Sequence, residues 1–218
     1  MWLGLQFPDL GLEVFQCRNS QPGVLLEEQR VVACNRAAAA AGIHCGSTLA
    51  TARSICSEIQ YFRRDPAKEQ KHLQALAEAM YRFSPQVSIE LPDGLTLEVG
   101  HSRRLYADFE QLACEAAAVA RLHGHRVRHQ LAETATAALI LARSGARELA
   151  DVPLVRVGMQ IGLPEATLNT LASMGIHHLG GLFALPEAEL GQRFGGELVR
   201  LLQRLRGRVA DPRAAISL

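Results

Sequence analysis

Lysine is nearly missing from this chain: of its 23 basic residues, all but Lys68 and Lys71 are arginine. Guanidinium forks suit bidentate contacts to phosphate or carboxylate, so the cationic work falls to them. Aromatic residues are scarce too, at 5%. The formal net charge of +1 excludes a protein that coats nucleic acid indiscriminately, while leaving room for a local basic face. No apolar run reaches membrane-spanning length, and the first residues carry neither a basic segment nor the apolar stretch of a secretory leader. A cytoplasmic protein without membrane partners is expected. The five cysteines, Cys17, Cys34, Cys45, Cys56 and Cys114, contain no CxxC pair and are odd in number. That excludes a complete disulfide framework and implies reduced thiols. Cys34, Cys45 and Cys56 recur every eleven residues, wider than the close pairs of zinc sites, so no metal is expected there.

Almost half of the 218 residues, 48%, are hydrophobic, enough for one large domain or two to three small ones. "MWLGLQFP" reads as a strand stopped by Pro8. "VFQCRN" and "GVLLEEQRVVACN" read as strands around a Pro22-Gly23 turn, and "RAAAAAGI" as a helix closed by Gly42. Ser47 or Thr48 caps the next helix. Leu73, Leu76, Ala77, Met80 and Tyr81 form an apolar stripe on a helix from Pro66 to about Phe83. Residues 90–100, "ELPDGLTLEVG", read as a hairpin with Asp93-Gly94 at its tip. An alanine-rich helix follows over 105–123, then the strand "HRVRHQLA" and the helix "TATAALILARSG", stopped by Gly145. Strands and helices thus alternate to about residue 145, an α+β sheet domain with helices on one side. From "DVPLVRV" onward the pattern is helical only. "LPEATLNTLASMGI" has Pro164 at its first turn, and glycines punctuate short helices in the rhythm of a helix-hairpin-helix module. "ADPRAAISL" reads as the start of a linker.

The order of these motifs resembles a Y-family (translesion) DNA polymerase. "AGIHCGSTLATARSIC" is similar to that family's fingers, "YRFSPQVSIELPDGLTLEVG" to its palm hairpin, and "LNTLASMGIHHLGGLFALPEAELGQRFG" to its thumb. The resemblance implies a right hand: a mixed-sheet palm (1–10 and 73–150), small inserted fingers (11–72) and an all-α helix-hairpin-helix thumb (151–218). The family's little finger would lie outside these residues.

Nucleotidyl transfer needs two Mg²⁺ ions, and Mg²⁺ wants several carboxylate oxygens. The family takes two aspartates from the first strand and an Asp-Glu pair from the hairpin. The resemblance places Gly4 and Gln6 at the first pair, and Asp93 and Gly94 at the second. Residues 1–8 contain no acid, Asp9 follows Pro8, and Glu98 lies too far along its strand. Asp93 is therefore read as a turn residue. The triphosphate clamp is absent as well: Arg36 and Ala39 stand at the family's Tyr and Arg, and Ala135 at its lysine. A fold kept while its charge apparatus is erased implies binding or scaffolding, with no metal or cofactor.

"FPDLGLE", "ETATAALILAR" and "GLPEATLNTLASMGI" resemble the ImuB group, catalytically inactive Y-family homologues of bacterial mutagenesis cassettes. The resemblance implies a nucleoid-associated, damage-induced adaptor connecting a sliding clamp, a RecA-like accessory protein and an error-prone replicative-type polymerase, largely through regions outside this chain. An active translesion polymerase with rearranged ligands is the rival reading, and a protein-interaction module that ignores DNA a third. For weak, backbone-mediated DNA binding, the family's thumb grip aligns with Gly162-Leu163-Pro164, where proline removes one N–H donor; alternatively Pro164 simply starts a helix. Arg200, Arg204 and Arg208 fall on one helical face, a DNA stripe or a solvated surface. His123, His125 and His129 would share a face if their strand were continuous.

Overall fold

The computed structural model describes every residue except 18, 19, 102–105, 107, 159, 160, 162, 217 and 218. Its largest sheet has the order β5-β6-β1-β7: Val87–Glu90, Gly94–Glu98, Trp2–Gln6 and Arg128–Ala132. β1 pairs antiparallel with β6 (Gln6 opposite Gly94) and with β7 (Gln6 opposite Arg128). Alternation fixes the two faces. Leu3, Leu5 and Phe7 are fully buried in a core with Leu73, Leu76 and Met80 of α4 (Pro66–Met80) and Leu112, Ala113 and Ala116 of α5 (Phe109–Leu122). Gly4 and Gln6 face the other way, toward α6 (Ala135–Ser144).

Helices therefore cover both faces, not one as the pattern implied. The reason lies in α6 itself. Eight of its ten residues are buried, because one side packs on β1 while Ala137, Ile140 and Leu141 enter the core of the C-terminal helical unit. An apolar helix with no polar face has to be sandwiched. Gly4 permits the contact: a Cβ there would come within 2.5 Å of the Ala138 backbone.

A smaller sheet has the order β3-β2-β4 (Arg30–Cys34, Gly23–Glu27, Gln60–Arg63). β2 is antiparallel to β3 and parallel to β4. The mixed pairing expected of the palm thus sits in this smaller sheet; the described pairs of the large sheet are all antiparallel. Val24, Val31, Ala38 and Ile43 form its core with α2 (Arg36–Ala40) and α3 (Leu49–Ile55). Asn35 caps α2 by accepting from the Ala38 N–H, and Thr48 rather than Ser47 caps α3.

Three further expectations change. "VFQCRN" does not start as a strand: α1 (Leu10–Glu13) leads into a turn at residues 14–16, with Leu10, Leu12 and Val14 turned inward, and the last two of its residues, 18 and 19, lie outside the described residues. α5 begins at Phe109 because Asp108 caps it, accepting from the Gln111 N–H at 2.6 Å; residue 105 lies outside the described residues. And α4 runs unbroken across the expected fingers–palm boundary at 72/73.

The C-terminal unit holds α7 (Leu154–Val157), α8 (Glu165–Ser173), α9 (Leu179–Phe183), α10 (Glu187–Phe194) and α11 (Gly196–Leu205) around Leu171, Leu179, Leu182, Leu190 and Leu202. Gly195, at φ +90°, makes the turn between α10 and α11 that L side chains resist. The tail is no free linker. Asp211 accepts from the Thr136 N–H at 2.7 Å, capping the first turn of α6. Arg213 pairs with Glu90 at 2.7 Å and with Asp211 at 2.9 Å. The Ile216 N–H reaches the Val87 carbonyl at 2.8 Å, and Tyr81 donates to the Ile216 carbonyl. Residues 211–216 are strapped to α6 and the large sheet.

Candidate functional site

Register brings the ends of β1 and β6 together, so Gln6 and Asp93 meet at the rim of the sheet beside the C-terminal end of α6. The Phe7 N–H donates to the Asp93 carbonyl at 2.8 Å, fixing the hairpin tip against β1. Arg143, in the last turn of α6, turns its guanidinium into that corner. Its Nη2 and Nε donate to Asp93 Oδ1 at 2.7 and 3.0 Å, and Nη2 also reaches the Glu90 carbonyl at 3.1 Å. Gln6 Nε2 donates to Asp93 Oδ2 at 2.8 Å. Both carboxylate oxygens are thus engaged by donors, and the Arg143 side chain is only 11% exposed.

This donor set does not fit a pair of magnesium ions. Mg²⁺ wants bare oxygens from several carboxylates; here one carboxylate faces an amide and a guanidinium, and a cation would have to displace Arg143 against like charge. The other acids near the rim are committed elsewhere. Asp9 pairs with Arg126 at 3.1 Å, Glu69 with Arg64 at 3.1 Å, and Glu13 with the His125 ring at 2.9 Å. Asp9, Glu69 and Asp93 line a cleft of about 240 Å³ between the two sheets, together with Pro8, Gly11, Leu25 and Ala33. Among the described residues, no group of three or more His, Cys, Asp or Glu is arranged to hold a metal ion.

Two aligned positions behave differently from the sequence reading. Gly4 is no vacated ligand position: its Cα faces the α6 backbone, so a carboxylate there would collide with the helix. Gly94 is similarly tight, since a Cβ would lie 2.7 Å from Leu139 Cδ1 and 3.2 Å from the Leu5 carbonyl oxygen. Gln6 and Asp93 come together through the Gln6 Nε2 bond to Asp93 Oδ2. Arg143 was missed, because the pair is separated by fifty positions and no local spacing announces it. Glu98 sits at the far end of β6. Burial works to raise its pKa, but hydrogen bonds from His101 and the Gly100 N–H, with the charged N-terminus, outweigh that and hold it below its ordinary value.

In the C-terminal unit, Gly162 lies outside the described residues. Leu163 does not offer its amide to a phosphate: the N–H donates to the Gly158 carbonyl at 2.8 Å and the side chain is buried. Pro164 stands just ahead of α8, at its N-cap. Arg200 and Arg204 are exposed on the outer face of α11, opposite Leu198, Leu202 and Leu205. Arg208 is separated from them by an ion pair with Glu187 at 2.8 Å. The three histidines do not share a face. His123 ends α5, His125 is buried between Glu13 and His72, and His129 lies in β7.

A family model described as IMS, the impB/mucB/samB family, matches residues 14–143. Protein ImuB of Caulobacter vibrioides, in strains NA1000 / CB15N and ATCC 19089 / CIP 103742 / CB 15, is 29% identical over 177 residues. That match covers 78% of this chain but only 39% of the relative, so the chain spans about two fifths of its length. Among solved structures, DinB from Sulfolobus solfataricus superposes with a TM-score of 0.73 at 16% identity, over 98% of this chain and 69% of the other. A Dbh ternary complex gives 0.74 at 16% identity, over 99% and 69%. The shared feature is the fold, that of the Y-family DNA polymerases. No helix among the described residues is long and apolar enough to cross a membrane.

Proposed function

Because the chain belongs to the impB/mucB/samB family, we propose that it serves as a non-catalytic, polymerase-shaped adaptor in bacterial DNA-damage-induced mutagenesis. One observation carries this reading. Asp93, the single acid at the family's metal positions, has both oxygens occupied by Arg143 and Gln6. Without paired carboxylates, nothing activates a primer hydroxyl or stabilises a leaving pyrophosphate. The hand-shaped frame would then present DNA and partner proteins to a polymerase that does the synthesis. Partners of the implied kind are a sliding clamp, a RecA-like accessory protein and an error-prone replicative-type polymerase. The match to ImuB at 29% identity supports the same direction.

Primer extension by the full chain with Mg²⁺ or Mn²⁺ tests the proposal. No dNTP-dependent product should form, and Asp93→Asn should change nothing in that assay. Extension abolished by Asp93→Asn would instead support an active polymerase with rearranged ligands.

DNA contact is assigned to Arg200 and Arg204, the exposed guanidiniums of α11 with no ion pair among the described residues. Replacing both with alanine should weaken primer-template binding and lower the salt-dependence slope by about two, roughly one for each phosphate no longer neutralised. An unchanged slope would favour a module that meets only proteins.

A further inference from the structure

Segment 43–48 runs antiparallel beside β3. The Val31 N–H donates to the Ser47 carbonyl at 2.9 Å, the Gly46 N–H to the Val31 carbonyl at 2.7 Å, and Arg30 bridges Thr48. Beyond these bonds two cysteines meet diagonally across the two segments. Cys34 Sγ donates to the Ile43 carbonyl at 3.7 Å, and Cys45 Sγ donates back to the Val32 carbonyl at 3.4 Å. Cys34 thus lies beside Ile43 and Cys45 beside Val32, a diagonal pair two positions apart on one face, with the two thiols within hydrogen-bonding reach of each other. Cys45 is exposed, while Cys34 is half-buried against the fingers core. Burial, then the neighbouring Cys45, raises the Cys34 pKa. The two thiols therefore differ: one is open to reagents and the other waits behind it.

We propose that Cys34 and Cys45 form a peroxide-reactive dithiol site, closing to a disulfide that staples the loop carrying α2 to β3. Cys45 is the attacking sulfur. Its thiolate forms an S–O bond with hydrogen peroxide, the O–O bond breaks, and the departing hydroxide takes a proton to become water. The Cys34 sulfur then attacks the Cys45 sulfenic acid. The S–S bond forms, the S–O bond breaks, and the second hydroxide leaves as water with the Cys34 proton. Two thiols lose two electrons and two protons, and one peroxide becomes two waters. The site is independent of the adaptor reading, since it uses no residue of the palm rim or of α11.

Trypsin separates the pair cleanly, because cleavage at Arg30, Arg36 and Arg53 puts Cys34 in residues 31–36 and Cys45 in 37–53. The reduced full chain, folded and treated with equimolar hydrogen peroxide, should lose about 2 Da. Mapping without reductant should show those two peptides joined, and dithiothreitol should part them. Cys45→Ser should abolish the link. Cys34→Ser should leave a sulfenic acid on Cys45 that dimedone traps. A sulfinic acid on Cys45 with Cys34 still a free thiol would overturn the proposal. So would a link of Cys45 to Cys56, or between molecules, in place of the 34–45 link.

Discussion

Arg143 takes over, within the fold, the charge-neutralising role that a cation plays beside a carboxylate. Truncating it as Arg143→Met would leave Asp93 partly buried, held by Gln6 alone and without a compensating charge. Breaking a fully buried pair costs several kcal/mol; with Asp93 26% exposed, solvent screening reduces that to about 1–3 kcal/mol. The double variant Asp93→Asn/Arg143→Met should recover much of the loss, which denaturant titration of all four proteins would reveal as a coupling. A second residue-scale prediction concerns pH. Burial, reinforced by positive charge on His125, Lys68 and Lys71, holds the His72 ring below its ordinary 6.5. Burial also lowers His129, with Glu110 opposing and Arg121 adding. For both, the unfolded chain takes up the proton first as pH falls. Stability should therefore decline from pH 6.5 downward and level off once the folded-state values are passed. His72→Gln should flatten part of that decline in denaturant midpoints measured across the window.

At the scale of elements, α6 decides the architecture. Gly4 and Gly94 let it descend onto the sheet, so restoring an acid with Gly4→Asp should break the packing rather than rebuild a metal site. A collision with helix backbone costs about 2 kcal/mol or more, and the variant should melt well below the parent by circular dichroism. At the other end of α6, Asp211→Ala removes a cap worth about 1–2 kcal/mol. Amide exchange should quicken together in residues 208–216 and in the first turn of α6. Elements with local signals were legible in the sequence: the alternating strand 2–6, the α4 stripe, and the Gly145 stop, which adopts φ +75°. Others had none. α1 is a four-residue helix, too short to show a helical stripe, and the strap's partners, Glu90 and Thr136, are about 75 or more positions distant. The Arg143–Asp93 pair is hidden for the same reason: it is a product of tertiary register.

Across the whole molecule, a Y-family polymerase fold carries at one corner a carboxylate held by a guanidinium and an amide. α6 ties the large sheet to the core of the C-terminal helical unit, and the strap returns from α11 to β5, so the two are joined twice. The central claim is that the palm rim carries its own internal cation and takes no pair of divalent ions. Electron paramagnetic resonance of Mn²⁺, titrated with the full chain, primer-template and dNTP, tests it directly. The free Mn²⁺ signal should match that of an Asp93→Asn control at every protein concentration. Two Mn²⁺ ions bound per chain, lost on Asp93→Asn, would contradict it.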